Sequence, residues 1–249
     1  MGKYFKLFST DAERIAYEDG ETYLEPYVSC VEGNNEVHYN KPPFFCKLIL
    51  NNSETVEIEG SGELTQAMVS DQYRQTLIGA EIGELCTSIA NHAFSACDKL
   101  TSITISNNVT SIGATAFQYC FGLTNVTISN GVTSIDQQAF LYCSGLTSVT
   151  IGDSVTSIGE GAFSFCSGLT SISFGSGVTS IGNGVFYGCR VLNSIVSLAT
   201  TAPTITDTTF RDVKTGGTLT VPQGSTGYNT WMGTGNYYLG KYNWTKVEQ

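Results

Sequence analysis

Basic residues are scarce in this chain. Its 249 residues carry 12 Lys and Arg against 22 Asp and Glu, a net charge of −10, and the basic ones nowhere cluster. Binding a phosphate backbone takes a patch or stripe of positive charge, so this balance argues against nucleic acid and against anionic membrane surfaces. Long apolar runs are missing too. None approaches the roughly 20 residues of a membrane-spanning helix, so no membrane insertion is expected. The start, MGKYFKLFSTDAERI, lacks the apolar stretch of a secretory leader. Two readings stay open there: a leader absent from this sequence, or no export by that route.

Histidine occurs only twice, and HExxH, GxGxxG, P-loop and GxSxG patterns are absent. Glycoside hydrolysis needs two carboxylates facing across a cleft. The central hundred residues offer only Asp136, Asp153 and Glu160, and turn or solvated-loop roles suit them better. No catalytic residue, cofactor or metal site is therefore expected, and the chain does not read as an enzyme.

Charge is thin in the middle of the chain. Residues 1–99 net −9, residues 100–199 net −2 and residues 200–249 net +1. Ser, Thr, Asn and Gly fill the central polar positions. One reading is that β-rich coils favour Thr and Ser where they face solvent. A sharper one is that a neutral carpet of hydroxyls suits a partner recognised by hydrogen bonds, such as a glycan or a protein backbone.

What the chain has in abundance is a period. Phe94, Phe117, Phe140, Phe163 and Phe186 stand 23 residues apart, each followed at three residues by Cys97, Cys120, Cys143, Cys166 and Cys189. Leu100, Leu123, Leu146, Leu169 and Leu192 follow at the next fixed offset. Such periods mark solenoids. One unit reads LTSITISNNVTSIGATAFQYCFG (Leu100 to Gly122). Its first stretch alternates as a half-buried strand should, with Ile103 and Ile105 inward and Ser102 and Thr104 outward. Val109 and Ile112 bracket a second short strand, and a small-polar turn separates the two. The A-F-x-x-C segment is expected to form a single helical or 3₁₀ turn.

About six repeats run from roughly 77 to 214, decaying at both ends as terminal coils do. Downstream, Leu198, Ile205, Phe210 and Val213 all arrive one residue late, so one residue is inserted near Ser197 and Val213 takes the cysteine slot. Five cysteines in one slot point alike, which predicts a ladder of free buried thiols and an inert Cys97 beside His92. The ladder has no CxxC pair, so zinc is not expected. A disulfide between Cys30 and Cys46 stays open. The sequons at Asn108 and Asn125 arise from the repeat itself.

The pattern LxxIxI…VTSIGxxAFxxCxgL resembles the BspA-like leucine-rich repeats of bacteria, also called the Treponema pallidum type. The resemblance implies a leucine-rich-repeat arc, an α/β solenoid of short parallel strands and short helical turns capped at both ends. It also implies a surface or secreted protein that binds a host or bacterial protein or glycan and is no enzyme.

Residues 1–45 stand outside the repeat. A short helix is expected around Asp11–Tyr17, with Ser9 or Thr10 as N-cap and Glu13 completing a capping box. A hairpin turning at Gly33-Asn34 follows it. This end resembles a short N-terminal module of proteins from gut Bacteroidetes and their phages. That resemblance implies either a cap or an attachment segment, the latter in a structural or receptor-binding component of a phage or similar assembly, with a virion or cytoplasmic location as the alternative to the cell surface. Residues 46–76 read as a strand pair and a helix near Glu63–Tyr73 that lead into the repeats (77–214), and residues 215–249 as a C-terminal cap. Trp231, Trp244, Tyr228, Tyr237 and Tyr238 there either seal the last coil or offer sugars a stacking patch.

If the first strand carries the binding face, its outward row is Ser102, Thr104, Asn125, Thr127, Ser148, Thr150, Ser171 and Ser173, the expected ligand contacts. The outward row of the second stretch, Thr110, Thr133, Thr156 and Thr179, competes with it.

Overall fold

The computed structural model describes residues 44–249 apart from Ser70 and Asn236. The helix expected at Asp11–Tyr17, the Gly33-Asn34 hairpin and Cys30 lie outside the described residues.

The described chain opens with an antiparallel pair, β1 (Cys46–Leu50) and β2 (Thr55–Ile58). Strand β3 (Gly62–Leu64), the four-residue helix α1 (Asp71–Arg74), β4 (Leu77–Ile82) and β5 (Cys86–Ile89) follow. Two short strands then recur in every coil: β6 (Ser102–Ile105) with β7 (Ser111–Ile112), and β8 (Asn125–Ile128) with β9 (Ser134–Ile135). After them come β10 (Ser148–Ile151) with β11 (Ser157–Ile158), and β12 (Ser171–Phe174) with β13 (Ser180–Ile181). The chain closes on β14 (Ser194–Ser197), β15 (Thr218–Val221) and β16 (Thr245–Glu248).

The longer strands stack into one parallel face in the order β4-β6, then β8-β10-β12-β14-β15-β16, and the shorter ones stack into a second face, β3-β5-β7-β9-β11-β13. Between β6 and β8 the ladder lapses, yet Thr124 still donates both its N–H and its hydroxyl to the carbonyl of Thr101, each at 3.3 Å. The result is a β-solenoid of about eight turns. Residues 215–249 therefore do more than cap: they add two further strands to the first face.

The expected helical turn is not there. Residues 90–97 run as consecutive tight turns in which alternate N–H groups point in different directions. Ser95 and Cys97 donate back to His92 and Phe94, at 3.0 and 3.2 Å. His92, Phe94 and Ala96 instead donate forward to Ala114, Ala116 and Gln118 in the next coil, at 2.7–3.0 Å. A helix would use all of these donors internally; here half of them tie one coil to the next. The geometry requires left-handed backbone at two positions per turn, including Ala96 (φ 60°), Tyr119 (62°), Tyr142 (61°) and Phe165 (56°). Non-glycine residues pay about 1–2 kcal/mol for that conformation, and the forward hydrogen bonds offset it. The helix expected near Glu63–Tyr73 shrinks likewise to α1, because Gly62–Leu64 pairs as a strand with β5.

Inside, Phe94, Phe117, Phe140 and Phe163 stack with centroids 5.0–5.2 Å apart and planes within 8°. The step to Phe186 widens to 6.1 Å, beside Phe174, which stands where earlier coils carry Ile. Phe210 continues the stack over Phe186, and Ser180 bridges to Thr204, so the one-residue insertion is real. Leu198 is not part of the shifted core, however. Ser197 still pairs with Phe174 and is buried, hydrogen-bonded by the Tyr228 hydroxyl at 2.6 Å, while Leu198 is half exposed. The slip thus falls after Ser197, and Leu198 turns outward. Trp231, Tyr228 and Trp244 are buried at the far end, Trp231 against Phe174 and Phe210. They seal the last coils and offer no sugar-stacking surface.

Candidate functional site

The repeat gives the solenoid two kinds of outward hydroxyl, and their hydrogen bonds separate them. On the second face, Thr133 donates its hydroxyl to the carbonyl of Thr110 at 3.0 Å, the same oxygen that takes its N–H at 2.8 Å. Thr110, Thr156 and Thr179 do likewise to Thr87, Thr133 and Thr156. Each carbonyl oxygen has two lone pairs, so one acceptor serves both donors. This row, the competing candidate for binding, is engaged in holding coil to coil.

The first-face row differs. Parallel register sets Asn125, Ser148 and Ser171 in one column and Thr127, Thr150 and Ser173 in a second. Ser102 and Thr104 hold the same slots on β6, beside Gly79 and Glu81 of β4. Asn125 and Ser148 bond to each other, Oγ to Oδ1 at 2.6 Å, and Thr147 adds its hydroxyl to the same Oδ1 at 3.1 Å. The side-chain hydroxyls of Ser102, Thr104, Thr127, Thr150, Ser171 and Ser173 have no partner among the described residues. Thr127 and Thr150 are exposed, and Ser171 and Ser173 half-buried.

The ladder cysteines are not set up as nucleophiles. Cys97, Cys120, Cys143, Cys166 and Cys189 are free and fully buried. Burial pushes the thiols of Cys143 and Cys189 up to about 12. Cys97 rises to about 11, burial outweighing the opposing pull of the nearby Arg74 guanidinium. Arg74 occupies the cysteine slot one coil earlier, with Nη1 4.0 Å from the Cys97 sulfur. Among the described residues Cys46 is also a free, buried thiol; its pairing with Cys30 lies outside the described residues. Asp153 accepts the N–H and hydroxyl of Ser176 at 2.8 and 3.0 Å, a turn role. Among the described residues no His, Cys, Asp and Glu side chains group as metal ligands.

A profile of the BspA type leucine-rich repeat region matches residues 76–227 in 6 copies. The chain belongs to that family. Among solved structures, this BspA-type chain is similar to the leucine-rich repeat protein of T. pallidum, at 30% identity over 51% of this chain and 60% of that one, with a TM-score of 0.49. A leucine-rich repeat protein from Bacteroides ovatus is 21% identical over 72% of this chain and 51% of its own, with a TM-score of 0.47. A leucine-rich cell surface protein from Faecalibacterium prausnitzii is 24% identical over 68% and 60%, with a TM-score of 0.42. The chain thus spans less than two thirds of each. No curated protein matches it.

On the third side of the BspA-type coil lies a feature the sequence reading passed over. Tyr119 and Tyr142 stack at 5.3 Å, Tyr142 and Phe165 at 4.8 Å, and Phe165 meets Tyr187 edge-on at 4.8 Å. Beside this stripe a groove of about 200 Å³ opens over Gly161 and Gly184. Its signal was present in the repeat. The slot two residues before each phenylalanine carries His92, Thr115 and Gln138, then drops to Gly161 and Gly184.

Proposed function

We propose that this protein is a non-enzymatic recognition module that binds a macromolecular partner through the outer face of β6, β8, β10 and β12. The observation that carries the reading is the division of labour between the two hydroxyl rows. The Thr110–Thr179 row is engaged in inter-coil bonds, whereas Ser102, Thr104, Thr127, Thr150, Ser171 and Ser173 keep their hydroxyls for a partner. A face with hydroxyls and almost no charge suits neutral polar groups, such as glycan hydroxyls or a protein backbone, better than ions. Family membership supports recognition as the general role. Adhesion at the cell surface or as a secreted protein is the specific form we propose. A glycan and matrix-protein array tests it: binding abolished by Thr127→Glu with Thr150→Glu supports the face, and binding unchanged by that pair rules the face out.

A further inference from the structure

The third-side groove is a separate matter, and it is built around an arginine. Arg211 lies with its guanidinium carbon 4.9 Å from the Tyr187 ring centre and 5.1 Å from that of Tyr237. Lys241 approaches the same Tyr237 ring at 4.3 Å. Cation–π contact with two rings leaves the N–H fork of the guanidinium, which matches a carboxylate, without a lone-pair acceptor. Among the described residues no carboxylate or carbonyl takes those donors. The side chain is therefore pre-positioned, which removes part of the ordering cost of binding.

The groove beside it is small, and its lining mixes apolar surface from Leu141 and Tyr187 with a few polar side chains. Gln138 and Thr208 line it from the repeat slot that Gly161 and Gly184 leave open, together with Glu160 and Asn183. The Thr208 hydroxyl donates to Asn183 Oδ1 at 3.1 Å, orienting that amide. At about 200 Å³ the space is smaller than the roughly 300–1,000 Å³ that whole small molecules occupy. One ring or end group of a larger molecule fits the space.

We infer that this groove binds a carboxylated sugar unit of a glycan, with Arg211 on the carboxylate and Glu160, Gln138 and Asn183 on the ring hydroxyls. The combination is what selects this class. An acidic peptide would satisfy Arg211 but would meet the Glu160 carboxylate with few hydroxyls to donate. A neutral sugar would leave the Arg211 fork unmatched. The site shares no residue with the first-face row, so it stands or falls independently of the function proposed above.

Isothermal titration of the full chain with 3′-sialyllactose, trigalacturonate, lactose and a hexaglutamate peptide tests the inference. At least one carboxylated sugar should bind about tenfold or more tightly than lactose and the peptide, and more weakly as salt rises. Arg211→Gln should lower that affinity about tenfold or more. Gly161→Gln should do the same by filling the groove. It should also leave folding intact, because Gln138 holds the equivalent left-handed slot (φ 58° against 61°) one coil earlier. Equal affinity for lactose, tighter binding of the peptide, or affinity unchanged in either variant would overturn the assignment.

Discussion

The Cys143 thiol donates to the carbonyl of Phe117 at 3.1 Å, reaching past its own phenylalanine to the one stacked in the previous coil. Cys120, Cys166 and Cys189 repeat the contact at 3.1–3.2 Å. Cysteine suits this slot because it is small, apolar and still a weak donor.

The ladder should therefore be chemically silent while folded. With a thiol reagent at pH 8, ladder cysteines should react only after denaturation, since the thiolate is the reactive form and burial suppresses it. Arg74→Ala should open the first rung, making Cys97 react in the native state while Cys143 stays protected. Mass spectrometry of labelled peptides reads the difference.

The same thiols make the fold sensitive to base. Folding raises Cys143 and Cys189 to about 12 from a usual value near 9, so the unfolded chain releases these protons first. Their stabilising contribution is complete below about pH 9 and is lost progressively as pH rises towards 12. Urea midpoints should fall over that range, and less steeply in Cys143→Val, since valine fills the same slot three coils later as Val213.

At Ala96 the backbone can be tested directly. In a helical turn, Ala→Gly costs about 1 kcal/mol. At φ 60° it should instead stabilise by about 1 kcal/mol, because glycine removes the left-handed penalty. Chemical denaturation of Ala96→Gly gives the sign.

Much of this fold was legible because the repeat writes its core in fixed slots: Phe, Cys and Leu every 23 residues, and a late Phe210 that reveals the inserted residue. The A-F-x-x-C turn misled because its composition suits a helix. What decides against one is the neighbouring coil, which takes the N–H groups of Phe94 and Ala96. Leu198 misled in a similar way, since apolar character cannot show that Ser197 already fills the Phe174 slot with help from Tyr228. The groove was only half legible: the repeat shows its slot emptying at Gly161 and Gly184, but Tyr237, which meets Arg211, lies outside the period.

Phe45 is buried, and its carbonyl takes the N–H of Gly83 at 2.8 Å. Phe45→Ala should therefore lower the urea midpoint, with a loss on the order of 3–5 kcal/mol, the usual cost of truncating a core phenylalanine.

The two hydroxyl rows do different work, and a crossed pair of double variants tests that division most directly. Thr127→Glu with Thr150→Glu and Thr133→Glu with Thr156→Glu should be compared in thermal unfolding and in binding to the partner found on the array. The first pair should abolish binding with little change in Tm, while the second should lower Tm by several degrees and leave binding by the folded protein intact. The opposite pattern, with binding lost from the Thr133 and Thr156 pair and kept by the Thr127 and Thr150 pair, would contradict it.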